Sequence, residues 1–217
     1  MLSDAEICLF WRACAELGRD GSYDSYPYGE LFKVLLLTAQ RRNETASMEW
    51  EEINEHNGIW TIPAGKAKGK SIHDVFLSAP AWDIVMNVIG EGQRYLPKFV
   101  FSRVEGKPVC GFSQAKRELD ATMTRLNEGK KIPPWRIHDL RRSAATIMTR
   151  SLKIPPHVVD RVLAHKPKGA TGVAGVYDRY QYMDERKDAL EQLGTYLVDL
   201  EARMAGKNVL QFHPMPA

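Results

Sequence analysis

Residues 28–40, Tyr-Gly-Glu-Leu-Phe-Lys-Val-Leu-Leu-Leu-Thr-Ala-Gln, carry only two charged side chains, Glu30 and Lys33. A segment this apolar on every side reads as a helix buried among other elements. Its longest apolar run, Val34 to Leu37, is far shorter than the ~20 residues that cross a bilayer, and no membrane partner is expected. The chain of 217 residues must wrap this helix, and it is long enough for one large domain or two small ones. No long linker, repeat or low-complexity tract separates two units. The expected organisation is one domain over 1–205 and a C-terminal tail over 206–217.

The remaining pattern is mostly helical. Ser3 and Glu6 form a capping-box signature ahead of Ile7, Phe10, Trp11, Cys14 and Leu17 at helical spacing, with Gly18 closing that helix. A short helix is expected from Asn43 to Glu51, and others over 81–89, 113–126, 139–151 and 155–163. A long amphipathic helix runs from Tyr182 to Ala205, with Leu190, Leu193, Leu197 and Leu200 on one stripe. Two short β-branched and aromatic runs, Ile59–Ile62 and Asp74–Leu77, flank a glycine- and lysine-bearing turn and read as a β-hairpin. The fold class expected is mainly α with a small antiparallel β-sheet.

Charge and cysteine usage narrow the function classes. Three cysteines (Cys8, Cys14, Cys110) cannot all pair, and neither CxxC nor a Cys/His cluster offers zinc-ligand spacing. The opening Met1-Leu2-Ser3-Asp4-Ala5-Glu6 has no basic stretch of a signal peptide. A reducing, cytoplasmic location is expected, and neither a metal nor a cofactor. The net charge of +3 gives only slight support for a nucleic-acid partner. Its distribution says more, because basic side chains gather at Arg41-Arg42, at Lys66, Lys68 and Lys70, and at Arg136, His138, Arg141 and Arg142.

Those gatherings fall in a telling order. Thr38-Ala39-Gln40-Arg41-Arg42-Asn43-Glu44 comes first, then Lys68 in the hairpin turn, then His138-Asp139-Leu140-Arg141, then Leu163-Ala164-His165, and last Val176-Tyr177-Asp178-Arg179-Tyr180. In that order they resemble the signature of the tyrosine recombinases, the phage-integrase family, and in particular the integrases of prophages and genomic islands. The likeness runs from about Ser3 to about Leu200. It implies the integrase-type catalytic fold, double-stranded DNA as partner, and assembly into a tetrameric synapse on DNA by a monomer or weak oligomer. Relatives carry additional DNA-binding domains upstream, so a truncated chain is expected, with its tail docking on a neighbouring protomer.

The residue types suit phosphoryl transfer on a diester. Planar guanidiniums grip non-bridging oxygens through paired donors, the role expected of Arg41 and Arg141. Lys68 is expected to protonate the leaving 5′-oxygen. His138 would accept the phenol proton and His165 would hydrogen-bond the phosphate. Tyr177 would attack, giving a 3′-phosphotyrosine and a free 5′-hydroxyl, with resealing that needs no ATP. Glu44 reads as an orienting partner for an arginine, and Arg142 as a supporting residue within reach of a backbone phosphate.

Each assignment has a plainer rival. Arg41 alone reads as a helix-start ion pair, His138 as a satisfied polar residue, and His165 as structural. Lys66 or Lys70 can stand in for Lys68, and Tyr180 or Tyr182 for Tyr177. A degenerate integrase that only binds DNA or protein, and a type IB topoisomerase, are the alternative functions.

Overall fold

The computed structural model describes residues 1–17, 27–88, 98–165 and 182–204. The mainly α expectation holds, with a small antiparallel sheet at one side. Helix α1 (Asp4–Glu16) starts at the Ser3 capping box, where Ser3 N–H donates to Glu6 Oε2 at 2.7 Å. Gly18, expected to close it, lies outside the described residues.

Helix α2 (Tyr28–Thr38) is the centre of the molecule, buried at every position except Glu30 and Lys33. It packs against α1, α4 (Ala79–Asn87), α6 (His138–Thr146) and the long C-terminal helix α8 (Met183–Met204). Close approach needs a missing side chain: a Cβ on Gly29 would lie 2.2 Å from the Cys14 carbonyl oxygen of α1. The leucine stripe of α8 turns inward, with Leu190, Leu193, Leu197 and Leu200 all buried. Helix α5 (Phe112–Leu126) covers α1 from the other side.

Helix α2 ends at Thr38, two residues earlier than its composition suggests. Ala39 adopts the left-handed conformation (φ 54°), which turns the chain into helix α3 (Arg42–Ala46). The helix expected over 43–51 is corrected to this single turn. Fully buried Met48 leaves it, and its carbonyl accepts the Val100 N–H at 2.9 Å while Trp50 N–H donates to Lys98 O. Long-range backbone pairing thus wins over local helical pattern, and the segment resumes as a 3₁₀ turn at Trp50–Glu52.

The hairpin is present as β2 (Ile59–Ile62) and β3 (His73–Phe76), with Trp60 opposite Val75. A third strand, β1 (Ile53–Asn54), pairs with β2 in the order β1-β2-β3. Two residues carry no alternation, which is why the sequence does not announce it. The helix expected over 139–151 divides into α6 and a π-helical turn at Ile147–Ser151. Helix α7 (Pro156–Val162) follows. No helix among the described residues is long and apolar enough to cross a membrane.

Candidate active site

The turn between α2 and α3 presents the first cation. Arg41 stands just before α3, and Glu44 three residues on reaches back to it: Glu44 Oε1 accepts from Arg41 Nη1 at 3.1 Å, and Oε2 accepts the Arg41 N–H at 3.3 Å. Glu44 itself is 5% exposed. Its Oε1 also accepts the backbone N–H of Lys68 at 3.1 Å, from the hairpin turn. One buried carboxylate therefore holds both Arg41 and the lysine-bearing loop, a wider role than pairing with an arginine alone.

Helix α6 presents the next pair. Asp139 fixes its start, accepting the Arg136 N–H at 2.8 Å and pairing with Arg142 Nη1 at 3.0 Å. The Arg136 amide first, with Arg142 assisting, holds the Asp139 carboxyl below its ordinary range. Arg142 is otherwise largely exposed. His138 and Arg141, three apart, share one face of the helix. His138 is exposed at the rim. Shielding of its ring from water first, then the Arg141 and Arg142 guanidiniums, lower its pKa and keep the imidazole neutral at pH 7.

Arg141 is the buried member. Its Nη1 donates to Ala39 O at 2.6 Å and its Nη2 donates to Leu163 O. Both acceptors belong to helix ends that turn through a left-handed alanine, Ala39 after α2 and Ala164 (φ 46°) after α7. Such ends leave carbonyls without intrahelical donors, and the guanidinium satisfies one from each. Burial first, and then the nearby Arg41 cation, push Arg141 down to about 10, so it stays charged at neutral pH.

The end of α7 is gripped from two further directions. Val162 O accepts from Gln40 Nε2 at 2.9 Å and contacts His73 Nε2 at 3.2 Å. His73 and Gln40 are buried and belong to β3 and the α2–α3 turn. The sequence reading did not single out either residue. Their partners lie 89 and 122 positions away, and only the fold reveals them. His165 closes the helix, its N–H donating to Asp160 O at 2.9 Å and its Nδ1 standing 3.0 Å from Asp160 Oδ1.

Arg41, Glu44, Lys68, His138 and Arg141 all line one cavity of about 720 Å³. The other charged side chains in its wall are cationic: Arg42, Lys66, Lys116 and Arg136. A wall with one carboxylate among so many cations favours an anion. His165 is not in that wall; it is exposed and paired with Asp160, tied to the cavity through the Leu163 carbonyl that Arg141 holds. Tyr177, and its rival Tyr180, lie outside the described residues, as do residues 166–175 and the tail expected over 206–217. Tyr182 stands against the His157 ring, with centroids 5.0 Å apart. Among the described residues no group of three or more His, Cys, Asp or Glu side chains is arranged to hold a metal.

Against known proteins, a sequence model described as the phage integrase family matches residues 6–177. The integrase of Shigella phage Sf6 and the prophage integrase IntS of Escherichia coli K12 are each 28% identical over 167 residues, spanning 76% of this chain and 40% of theirs. Prophage integrase IntZ of the same bacterium is 26% identical over 203 residues, 93% of this chain and 45% of its own. The chain thus spans less than half the length of these curated relatives. Among solved structures, the XerH site-specific recombinase in its pre-cleavage complex with difH substrate superposes with a TM-score of 0.58 at 18% identity, over 85% of this chain and 52% of that one. The XerH post-cleavage complex gives 0.57.

Proposed function

This chain belongs to the phage integrase family, and on that premise we propose that it is the catalytic domain of a site-specific DNA recombinase, cutting and rejoining strands through a phosphotyrosine. The observation that carries the proposal is the shared cavity of Arg41, Lys68, His138 and Arg141, built around one buried carboxylate.

The scissile phosphate enters this cavity. Arg41 and Arg141 face its non-bridging oxygens, where charge accumulates as phosphorus is attacked. Arg141 has already committed donors to two carbonyls, so it acts as a fixed positive floor, while Arg41, 24% exposed, meets the phosphate from the rim. The Tyr177 phenol attacks phosphorus. Its proton passes to His138, neutral and able to accept. The bond from phosphorus to the 5′-oxygen breaks, and Lys68 protonates that oxygen. The products are a 3′-phosphotyrosine and a 5′-hydroxyl; attack by another 5′-hydroxyl reverses the steps and reseals the strand. His165 hydrogen-bonds the phosphate once DNA is bound, and Arg142 takes a neighbouring backbone phosphate. The domain spans 1–205, works in the cytoplasm on double-stranded DNA and assembles there as a tetrameric synapse, with the tail over 206–217 docking on a neighbour.

The test uses a pool of nicked duplexes with randomised sequence around the nick, incubated without divalent metal at low ionic strength, where phosphate contacts are strongest. A covalent protein–DNA adduct is expected, mapped by mass spectrometry to Tyr177 and abolished by Tyr177→Phe. No adduct from the pool sinks the proposal and leaves a DNA- or protein-binding module; an adduct that survives Tyr177→Phe overturns Tyr177 as the nucleophile and moves that role to a neighbouring residue such as Tyr180 or Tyr182.

A further inference from the structure

The three lysines of the hairpin turn, alternating at 66, 68 and 70, are not equivalent in space. Lys66 and Lys68 both line the cavity, and Lys70 does not. The Lys66 ammonium is fully engaged. It donates to Ser47 O at 2.8 Å, to Glu49 Oε1 at 2.8 Å and to Glu52 Oε1. An ammonium has three protons, and all three have acceptors. The two carboxylates are themselves held: Glu52 Oε2 accepts the Trp60 indole N–H at 3.2 Å and the Glu49 N–H at 3.1 Å, and Glu49 Oε1 lies 3.5 Å from Lys98 Nζ. The Lys66 hydrogen bond is the first cause of the lowered Glu49 pKa. This knot joins the foot of the hairpin turn to the segment after α3 and to fully buried Trp60 of β2.

Two residues on, the loop has its second attachment, the Lys68 N–H on Glu44. Buried Ala67 lies between the two. Beyond Lys68 the loop is exposed at Lys70 and at Ile72, which is 69% exposed. The exposed Lys68 side chain has no ion pair among the described residues. Its reach into the cavity is therefore set by where the backbone is pinned.

We propose that Lys66 is a positioning residue: its ammonium, clamped by Ser47, Glu49 and Glu52, sets the hairpin loop so that Lys68 delivers its proton to the leaving 5′-oxygen. The inference rests on the reading of Lys68 as the acid. Losing the clamp removes one of the two side-chain attachments that tie this loop to the body of the domain, leaving the Lys68 N–H on Glu44 and the loop's own backbone bonds to Pro63 O. It spreads the Lys68 ammonium over more positions, which lowers its effective concentration at the reacting oxygen.

The test replaces the scissile 5′-oxygen by sulfur in the duplex that wild-type protein selects from the nicked pool. A thiolate leaves without a proton, so sulfur makes the acid unnecessary. Single-turnover cleavage is compared on the oxygen and sulfur duplexes. Lys68→Ala is expected to fall about 100-fold or more on oxygen and to recover near wild type on sulfur. Lys66→Ala is expected to fall about 10- to 100-fold on oxygen, to recover equally on sulfur, and to add nothing to Lys68→Ala in the double variant. Glu49→Gln, which keeps the shape of the clamp, shows the same recovery from a smaller fall. Lys66 variants equally slow on both duplexes, or unaffected on both, while Lys68→Ala recovers on sulfur, overturn the positioning role alone. Recovery by Lys66→Ala without recovery by Lys68→Ala makes Lys66 the acid and overturns it too. A Lys68→Ala variant and a Lys66→Ala variant that both fail to recover remove Lys68 as the acid and this inference with it.

Discussion

The floor and the rim of the cavity are built from the same residue type under opposite constraints. Arg141, on the floor, is 5% exposed and donates to backbone carbonyls 102 and 22 positions away. Arg41, on the rim, is 24% exposed, and its ion pair is with Glu44, three positions away. A guanidinium on the floor is part of how α2 and α7 end, whereas one on the rim is held locally and remains open to a ligand. Removing the first should unmake structure and chemistry together; removing the second should unmake chemistry alone.

The largest effect is expected from Arg141→Ala. It leaves the carbonyls of Ala39 and Leu163 without donors in a buried layer, at ~1–3 kcal/mol each. A loss of ~3 kcal/mol or more corresponds to a melting temperature lower by roughly 6–12 °C in a chain of this size, accompanied by loss of adduct formation. Arg141→Lys keeps the charge, but a compact ammonium cannot span two acceptors as a planar fork does, so it should fall between. Wild-type melting by Arg141→Ala would break the distinction between floor and rim.

Arg41→Ala comes next and sharpens it. Loss of one preorganised donor to the developing charge costs ~3–4 kcal/mol of barrier, roughly 10²- to 10³-fold in cleavage rate. Stability should change by no more than about 1 kcal/mol, because buried Glu44 keeps the backbone N–H of residues 41 and 68 as donors and Arg141 as a nearby cation, and the removal also relieves the repulsion Arg141 feels from Arg41. Paired thermal melts and single-turnover rates on the two variants check both halves of the contrast. A large drop in melting temperature for Arg41→Ala would place it with the floor.

The rim was legible in the sequence because its logic is local. Arg41 sits at the start of α3 with Glu44 three residues on, a capping arrangement, and helical spacing sets His138 one turn from Arg141 at the head of α6. The hairpin was legible from its β-branched runs and glycine turn, displaced by one residue at β3. On the floor Arg141 was legible as a residue, but what it and its neighbours hold was not. Gln40, His73 and Arg141 converge on Val162 and Leu163 only because α7 ends against the α2–α3 turn, and spacing carries no trace of that meeting. The lysines were half legible: a run of three alternating cations points to the loop, but the choice among them depends on Glu44, Glu49 and Glu52, each at least 14 positions away. Met48 shows the opposite failure, a helical pattern overruled by pairing with Val100.

The smallest effect tests the floor through pH. His73 is buried beside Val162 O, and burial first, then the Arg186 cation, lower its pKa to about 4, against 6.5 for a free imidazole. The fold therefore prefers the neutral ring, and the unfolded chain binds more protons between those two values. Stability from this group is complete above pH 6.5, is lost as pH falls from 6.5 toward 4, and changes no further below 4. The difference caps the loss at ~3 kcal/mol. His73→Gln supplies an amide donor that does not titrate and should flatten the decline in melting temperature across that window. The rim offers a control, since the lowered pKa of exposed His138 acts on proton acceptance. His138→Gln should slow cleavage and flatten the stability decline less than His73→Gln does, because its ring is exposed where that of His73 is buried. If His73→Gln instead declined with acid as steeply as wild type, the carbonyls at the end of α7 would be held by Gln40 and Arg141 without help from the buried ring.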